Sequence, residues 1–454
     1  MTKSLLISGV RSGCGKTSLT LGLLAALTRR GLVCAPFKTG PDFIDPGLHA
    51  LACGRESHNM DSWMLTAEAN RSIFSRHAAG ADVAVAEGAM GLFDGASGSS
   101  ERGSAAHMAK LLGIPAVLVV DASGMGRSAA AVAQGFARFD PSLSLAGVVF
   151  NRVGGRGHRE ILAEAMAQAG MQVLGMLGRD AKLAIPSRHL GLTTAADLED
   201  CPAWLDKLAC WVEDGIDLDR LVGLLPETML DATAPVQDAP PAVRLGVARD
   251  RAFCFLYGEN LRLLRAAGAE PVFFSPLEDS RLPDGLDGLY LPGGYPEMHA
   301  GALSANASML ADLRSFCLSG RPALAECGGF MTLMEGFTDL EGRFHAMAGV
   351  FPCSARMGTR FAALGYREAV FQAATPLGPP GTVARGHEFH YSSLEALPEV
   401  SSAYSLSGRT GPIDTPEGFL AAGTLGSYVH LHFASNPELA RNFVASMLKA
   451  RTEA

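Results

Sequence analysis

The chain has 454 residues, with 38 Lys and Arg against 46 Asp and Glu, for a formal charge of −8 at pH 7. Hydrophobic residues make up 48% and charged residues 19%, which fits well-packed folded domains and excludes a disordered chain. The acidic balance argues against a general nucleic-acid or anionic-membrane binder, and at roughly 150 residues per domain the length predicts two or three domains.

The opening segment, MTKSLLISGVRSG, breaks its apolar run with glycine and arginine, so no signal peptide is expected. No apolar run reaches the ~18 residues of a membrane span. Nine cysteines without a CxxC pair argue against zinc ribbons and disulfide frameworks, and predict a reducing, cytoplasmic setting. The 52 glycines show no collagen-like period and predict many tight strand-to-helix turns.

In chain order, residues 5–7, 33–37, 83–86, 116–120 and 146–150 are short apolar runs, mostly followed by Gly, Asp or Asn, and read as buried strands. Helical stretches lie between them, such as 18–30 closed by Gly31. This alternation predicts an α/β fold with a mostly parallel sheet covered on both faces.

Residues 9–17, GVRSGCGKT, follow the first strand and open the first helix. Glycines let a backbone wrap a phosphate, Lys16 reaches β/γ-phosphates and Thr17 ligates Mg²⁺. The candidate ATP-binding residues are Gly9, Arg11, Ser12, Gly13, Cys14, Gly15, Lys16 and Thr17, with Asn151 after a later strand for the base. Residues 37–45 (FKTGPDFID) and 87–95 (EGAMGLFDG) fall at other strand ends, where open parallel sheets bind ligands. Their carboxylates Glu87 and Asp45 (or Asp42) are metal candidates, and Lys38 is a candidate for a phosphate or substrate carboxylate.

Composition shifts near Val222, and residues 223–241, rich in Pro, Asp, Ala and Thr, read as a linker between domains at 1–222 and 242–454. A second α/β rhythm starts at Val243 and returns at 271–274, 288–291 and 323–326. There ALAECGGF runs a strand into Cys327, flanked by Glu326 and by Gly328 and Gly329, the layout of a nucleophile elbow. The glycines of LPGGYPE, Gly293 and Gly294, offer a second oxyanion N–H, and His430 in SYVHLHF is the candidate base. Cys254 and Cys353 read as core residues.

The stretches GVRSGCGKT, FKTGPDFIDPGLH, EGAMGLFDG, VARDRAFCFLYGENLRLLRAAGAE, FFSPLED, LYLPGGYPE, AECGGFM, GHEFHYS and SYVHLHF run in order from residue 9 to residue 433. Together they resemble the cobyrinic acid a,c-diamide synthase family, whose aerobic-pathway members act on hydrogenobyrinic acid. The resemblance implies a dethiobiotin-synthetase-like, P-loop ATPase domain followed by a class I glutamine amidotransferase domain. Cys327 would attack glutamine with His430 as base, and Gly294 and Gly328 would steady the oxyanion. Ammonia would then displace phosphate from an acyl phosphate made with Mg²⁺ and ATP, first on the c and then on the a acetate of the ring. Lys38, Asp42, Asp45 and Asp94 are the substrate-binding candidates; Lys38, with Arg11, is expected to form a basic pocket for the polycarboxylate ring. The expected partners are the (hydrogeno)cobyrinic acid ring, L-glutamine and ATP, with no nucleic acid or membrane and a homodimer left open.

Many class I enzymes carry Glu two residues after the catalytic His, where this chain has His432, so the third member of the triad stays open between a dyad and another orienting group. His387 and His390 read as substrate-contacting or structural, since no third metal ligand accompanies them. Nickel-sirohydrochlorin a,c-diamide synthase and cobyric acid synthase are the rival enzymes. A partitioning-type ATPase switch is disfavoured, because Arg11 stands where those proteins carry lysine.

Overall fold

The structure, a computed structural model, describes residues 2–183, 185, 201–230, 238–396 and 402–453. The chain divides into two compact units, Met1–Pro235 and Val236–Ala454.

The first unit alternates strand and helix: β1 (Thr2–Gly9), α1 (Lys16–Arg29), β2 (Cys34–Thr39), α2 (Ile44–Cys53), β3 (His58–Met60), α3 (Ala67–Ala78), β4 (Val83–Gly91), α4 (Ala105–Leu112), β5 (Ala116–Asp121), α5 (Ser128–Phe139), β6 (Leu145–Val153), α6 (Arg156–Gln168) and β7 (Val173–Gly178). Helices α7 (Cys201–Gly215) and α8 (Leu218–Leu224) and a short strand, β8 (Glu227–Thr228), follow. The sheet order is β3-β2-β4-β1-β5-β6-β7, parallel throughout, with β8 antiparallel beside the start of β1. All five strands expected from sequence are present; the short β3 and the half-buried β7 carry weaker apolar runs and were not expected. Both faces are covered, so β1, β2 and β5 are buried almost end to end, as their unbroken apolar runs require.

Helix α1 stops where Gly31 takes a left-handed φ of 83°. Its N–H donates to the Thr28 carbonyl, and the next N–H, of Leu32, donates to Leu27, so the last carbonyls are satisfied without a side chain. The expected linker boundary is corrected at its start. Residue 223 lies inside α8, and Glu227 and Thr228 pair with Lys3 and Thr2. Apolar residues such as Leu221 and Leu225 are buried in the first unit's core and hold this segment to it. Residues 231–237 of the expected linker lie outside the described residues.

The second unit begins with β9 (Val243–Ala248), α9 (Gly258–Ala266), β10 (Ala269–Phe274), β11 (Gly288–Leu291), α10 (Ala300–Ala305), α11 (Ala307–Leu318), β12 (Ala323–Glu326) and α12 (Gly328–Leu333). It continues through β13 (Met334–Thr338), β14 (Phe344–Ala346), β15 (Phe351–Met357), β16 (Ala363–Phe371), β17 (Val383–His390), β18 (Ser392–Leu394), β19 (Ser402–Gly408), β20 (Gly411–Ala421), β21 (Thr424–Ser427) and β22 (His430–Leu431), and ends in α13 (Glu438–Glu453). The main sheet runs β10-β9-β11-β12-β21-β20-β19-β16-β17-β22. Its first five strands pair in parallel and the rest antiparallel. Strand β22 follows β21 in the chain after Tyr428 and Val429, so the antiparallel strands leave that chain run and return to it.

Helix α1 packs closely on α7 at Gly22, where an added Cβ would lie 2.6 Å from Val212 Cγ2 and 2.7 Å from the Leu208 carbonyl oxygen. Gly22→Ala is expected to destabilise the first unit by about 1–3 kcal/mol, since a packed interface must open to admit a methyl group. The check is the urea midpoint, with Gly135→Ala on α5 as control. At Gly135 nothing lies within 4 Å of the new Cβ, so stability should hold or rise.

Candidate functional site

The first unit's site lies at the carboxyl ends of β1, β2 and β4. The loop after β1 turns through left-handed Gly13 (φ 73°) and Gly15 (φ 98°) into α1. A Cβ on Gly9 would fall 2.1 Å from Cys14 Sγ, so the loop closes only around a glycine. Arg11, Ser12 and Gly13 are exposed, whereas Cys14 is buried and packs beneath the turn. Lys16 Nζ donates to the Arg11 carbonyl at 3.2 Å, and burial lowers its pKa.

Thr17 Oγ1 donates to Glu87 Oε1 at 2.7 Å, and Lys38 Nζ reaches the same oxygen at 3.0 Å. Lys38 also binds Asp45. His49 Nε2 meets Glu87 Oε2 at 2.8 Å, and His49 Nδ1 meets Ser57 Oγ at 3.1 Å. A carboxylate only accepts, so Nε2 donates to Glu87. Burial alone would raise Glu87, but the Lys38 ammonium and the His49 hydrogen bond outweigh it and hold Glu87 well below its ordinary range. Burial works against the Lys38 charge, yet Asp45 and Glu87 raise its pKa.

Several expectations are corrected. Lys38 is 3% exposed and enclosed by carboxylates, so it is not a free cation of a basic pocket. Arg11 is also paired, to Asp121 at 2.9 Å. Asp42 Oδ1 accepts the N–H groups of Ile44 and Asp45 and so caps α2. Asp94 accepts the Gly91 N–H at 2.9 Å and shapes the turn after β4. The Asn151 side-chain amide donates to the Cys14 carbonyl at 2.9 Å, so it braces the loop from below. Asn151 also borders a cleft of about 300 Å³ with Gly15, Ser18, Arg152, Asp180 and Trp211.

His49, Asp121 and Arg152 were missed from sequence. Arg152 sits at a left-handed φ of 57°, binds Asp121, and donates from Nη2 to the Gly13 carbonyl at 3.0 Å. A positive φ on a bulky residue is a cost with no sequence signature. His49 lay within the quoted FKTGPDFIDPGLH stretch, and its partner Glu87 is 38 residues away.

In the second unit, β12 leads directly into Cys327, whose backbone is left-handed (φ 46°, ψ −104°), and then into α12. The Cys327 N–H donates to the Ser427 carbonyl at 2.7 Å, which fixes the elbow to β21. A Cβ on Gly328 would lie 3.1 Å from the Gly294 backbone nitrogen, so these two N–H groups are neighbours at the elbow. A Cβ on Gly293 would lie 2.2 Å from His430 Cε1, so the imidazole packs directly on that glycine. The structure therefore gathers Cys327, Gly293, Gly294, Gly328 and His430.

Cys327 is 5% exposed, and burial, followed by the nearby Glu297 charge, pushes its thiol far up. Burial, with His387 and His390 close by, lowers His430 to about 3. The resting pair is thus a neutral thiol and a neutral imidazole. His432 Nδ1 accepts the Ala434 N–H, and its ring lies 4.5 Å from that of Tyr257, so it is built into the turn after β22. His390 stacks on Tyr428 at 3.9 Å and hydrogen-bonds Glu388 and the Ser392 carbonyl, and His387 pairs in register with His430. Cys353 is buried in the core as expected, whereas Cys254 is half-buried beside Gly294. Among the described residues no group of three His, Cys, Asp or Glu side chains is arranged to hold a metal ion.

Residues 5–192 match the CobQ/CobB/MinD/ParA nucleotide binding domain, and residues 244–438 match the CobB/CobQ-like glutamine amidotransferase domain. The chain is 46% identical to a cobyrinate a,c-diamide synthase of Syntrophotalea carbinolica, over 97% of each chain. It is 41% identical to the enzyme of that name in a Synechococcus strain, over 98% of this chain and 99% of that one. It is also 42% identical to a hydrogenobyrinate a,c-diamide synthase of Mesorhizobium japonicum, over 94% of this chain and 98% of that one.

The lowered His430 pKa carries a pH prediction. Between about pH 6.5 and about pH 3 the unfolded imidazole binds a proton that the folded one refuses, so stability falls as pH falls through this window. His430→Asn is expected to flatten that slope, measured as the unfolding temperature of the second unit at pH 6.5, 5.5 and 4.5 (values chosen inside that ~3-unit window).

Proposed function

The chain belongs to the cobyrinate and hydrogenobyrinate a,c-diamide synthase family, and we propose that it amidates the a and c acetate side chains of a cobyrinic or hydrogenobyrinic acid ring with nitrogen from glutamine. It is a glutamine-dependent amidating ligase with a nucleotide-binding domain, and it acts in cobalamin biosynthesis. The observation that carries the residue-level reading is the pair of strand-end turns in one chain: a phosphate loop joined to Glu87 through Thr17, and a left-handed cysteine followed by Gly328, which lies against Gly294, with His430 packed on the preceding Gly293.

Cys327 Sγ attacks the glutamine side-chain carbonyl as His430 takes the thiol proton. The oxyanion that forms accepts hydrogen bonds from the Gly294 and Gly328 N–H groups, whose closeness supports this role. Collapse releases ammonia, with the proton returned from His430, and leaves a thioester that water hydrolyses to glutamate. In the first unit a ring carboxylate oxygen attacks the γ-phosphorus of ATP and ADP leaves. Ammonia then attacks the acyl phosphate and expels inorganic phosphate. The loop supports γ-phosphoryl transfer, because its backbone and Lys16 present the terminal phosphates. The adenine has a candidate place in the cleft bordered by Asn151, Arg152 and Trp211.

Thr17, Glu87 and Asp45 offer a hydroxyl and two carboxylates around one ammonium, hard oxygen donors that fit Mg²⁺, which would neutralise developing charge on the phosphates.

Cys327→Ser is expected to abolish glutamine-dependent amidation and to spare ammonium-dependent amidation, read by glutamate release and product mass. Two added amides per (hydrogeno)cobyrinic acid ring are expected. Amidation of four other side chains, or preference for nickel-sirohydrochlorin in competition, would overturn the substrate assignment.

A further inference from the structure

The base His430 stands on a strand of two residues, β22, with a strand neighbour on one side. On that side it pairs with β17, and the His432 N–H continues the pairing by donating to the Arg385 carbonyl at 3.0 Å. Backbone groups alternate along a strand, so Leu431 and Phe433 turn their N–H groups the other way. A buried N–H there needs a partner. None of these partners is backbone. The Leu431 N–H donates to Glu326 Oε1 at 3.0 Å, the Leu431 carbonyl accepts from Asn260 Nδ2 at 2.8 Å, and the Phe433 N–H donates to Asn260 Oδ1 at 2.8 Å. Glu326 is the residue immediately before the nucleophile. Its other oxygen accepts from Tyr290 Oη at 2.8 Å.

We propose that Glu326 is a positioning residue for glutamine hydrolysis: its carboxyl group takes the place of a missing strand neighbour at Leu431 and so fixes the strand that presents His430 to Cys327. This rests on the reading of Cys327 and His430 as the glutaminase pair. The link is short. One peptide bond joins Glu326 to the nucleophile, and one joins Leu431 to the base. A single hydrogen bond thus spans 105 residues of sequence and sets the two reacting groups relative to each other. His432 is engaged in its own turn, and Glu326 supplies a carboxyl group that acts on the base through the backbone of its strand. Burial raises the Glu326 carboxyl to about 8, so near neutral pH it works as an uncharged acceptor. An amide of the same shape should therefore replace it.

The test uses the full-length chain with ATP and ring substrate, supplied with either glutamine or ammonium. E326Q is expected to keep glutamine-dependent turnover within about threefold of the parent, because the acceptor at Leu431 remains. E326M, of similar length with only a weakly accepting thioether in place of the carboxyl oxygens, is expected to lose about a hundredfold in kcat for glutamine with KM little changed, as for a reacting group moved by about 1 Å. Its ammonium-dependent amidation should be unchanged. The assignment is overturned if E326M keeps glutamine turnover, if E326Q falls as far as E326M, or if ammonium-dependent amidation falls in parallel, which marks a general structural role. Cys327→Ser measured alongside separates the two readings. Surviving glutamine turnover there would sink the glutaminase pair itself, whereas an inactive Cys327→Ser with an active E326M would sink the Glu326 assignment alone.

Discussion

A carboxyl group without water must find hydrogen bonds or opposite charge, and each unit buries one on a central parallel strand. In the first unit Glu87 stays charged because an ammonium, an imidazole and a hydroxyl surround it. In the second, Glu326 meets a phenol and a backbone N–H, groups that satisfy it without demanding charge, and burial keeps it neutral. The difference suits the chemistry at each place. A charged carboxylate is ready for a cation and phosphates, whereas a neutral one avoids setting a negative charge beside a developing thiolate.

The parts of this fold legible in the sequence are those that demand a particular residue. Gly9, Gly13, Gly15, Gly293, Gly294 and Gly328 mark places where backbone, ring or loop comes too close for a Cβ or takes a φ that others resist. That is why the phosphate loop and the cysteine elbow are legible in the sequence. Strands buried on both faces were legible for a similar reason, since their apolar runs have no polar alternation to confuse them.

What stayed hidden depends on partners far apart in the chain. His49 gains its meaning from Glu87, Arg152 from Asp121 and Gly13, and Glu326 from Leu431. A basic pocket at Lys38 is expected from the many carboxylates of the ring that the resemblance implies, while the fold wraps two of the chain's own carboxylates around it. Asn151, expected from sequence at the nucleotide base, borders the cleft proposed for it, and the sequence does not show that its amide also braces the phosphate loop through Cys14. The linker is expected from composition alone, which does not register that Leu225 is a core residue or that Glu227 pairs with Lys3.

The return of the antiparallel strands to the run that holds β21 and β22 makes the path from Ser427 to His430 a molecular ruler. Ser427 is pinned to the nucleophile by the Cys327 N–H, and Tyr428 and Val429 are the whole spacer to the imidazole. Tyr428 and Val429 form a bend between β21 and β22, so adding or deleting one residue there would shift the strand that carries the imidazole relative to the elbow. Length variation among kindred chains should accordingly be absent between Ser427 and His430 and be accommodated at the β19–β20 hairpin tip, where Arg409 and Thr410 lead into a left-handed Gly411.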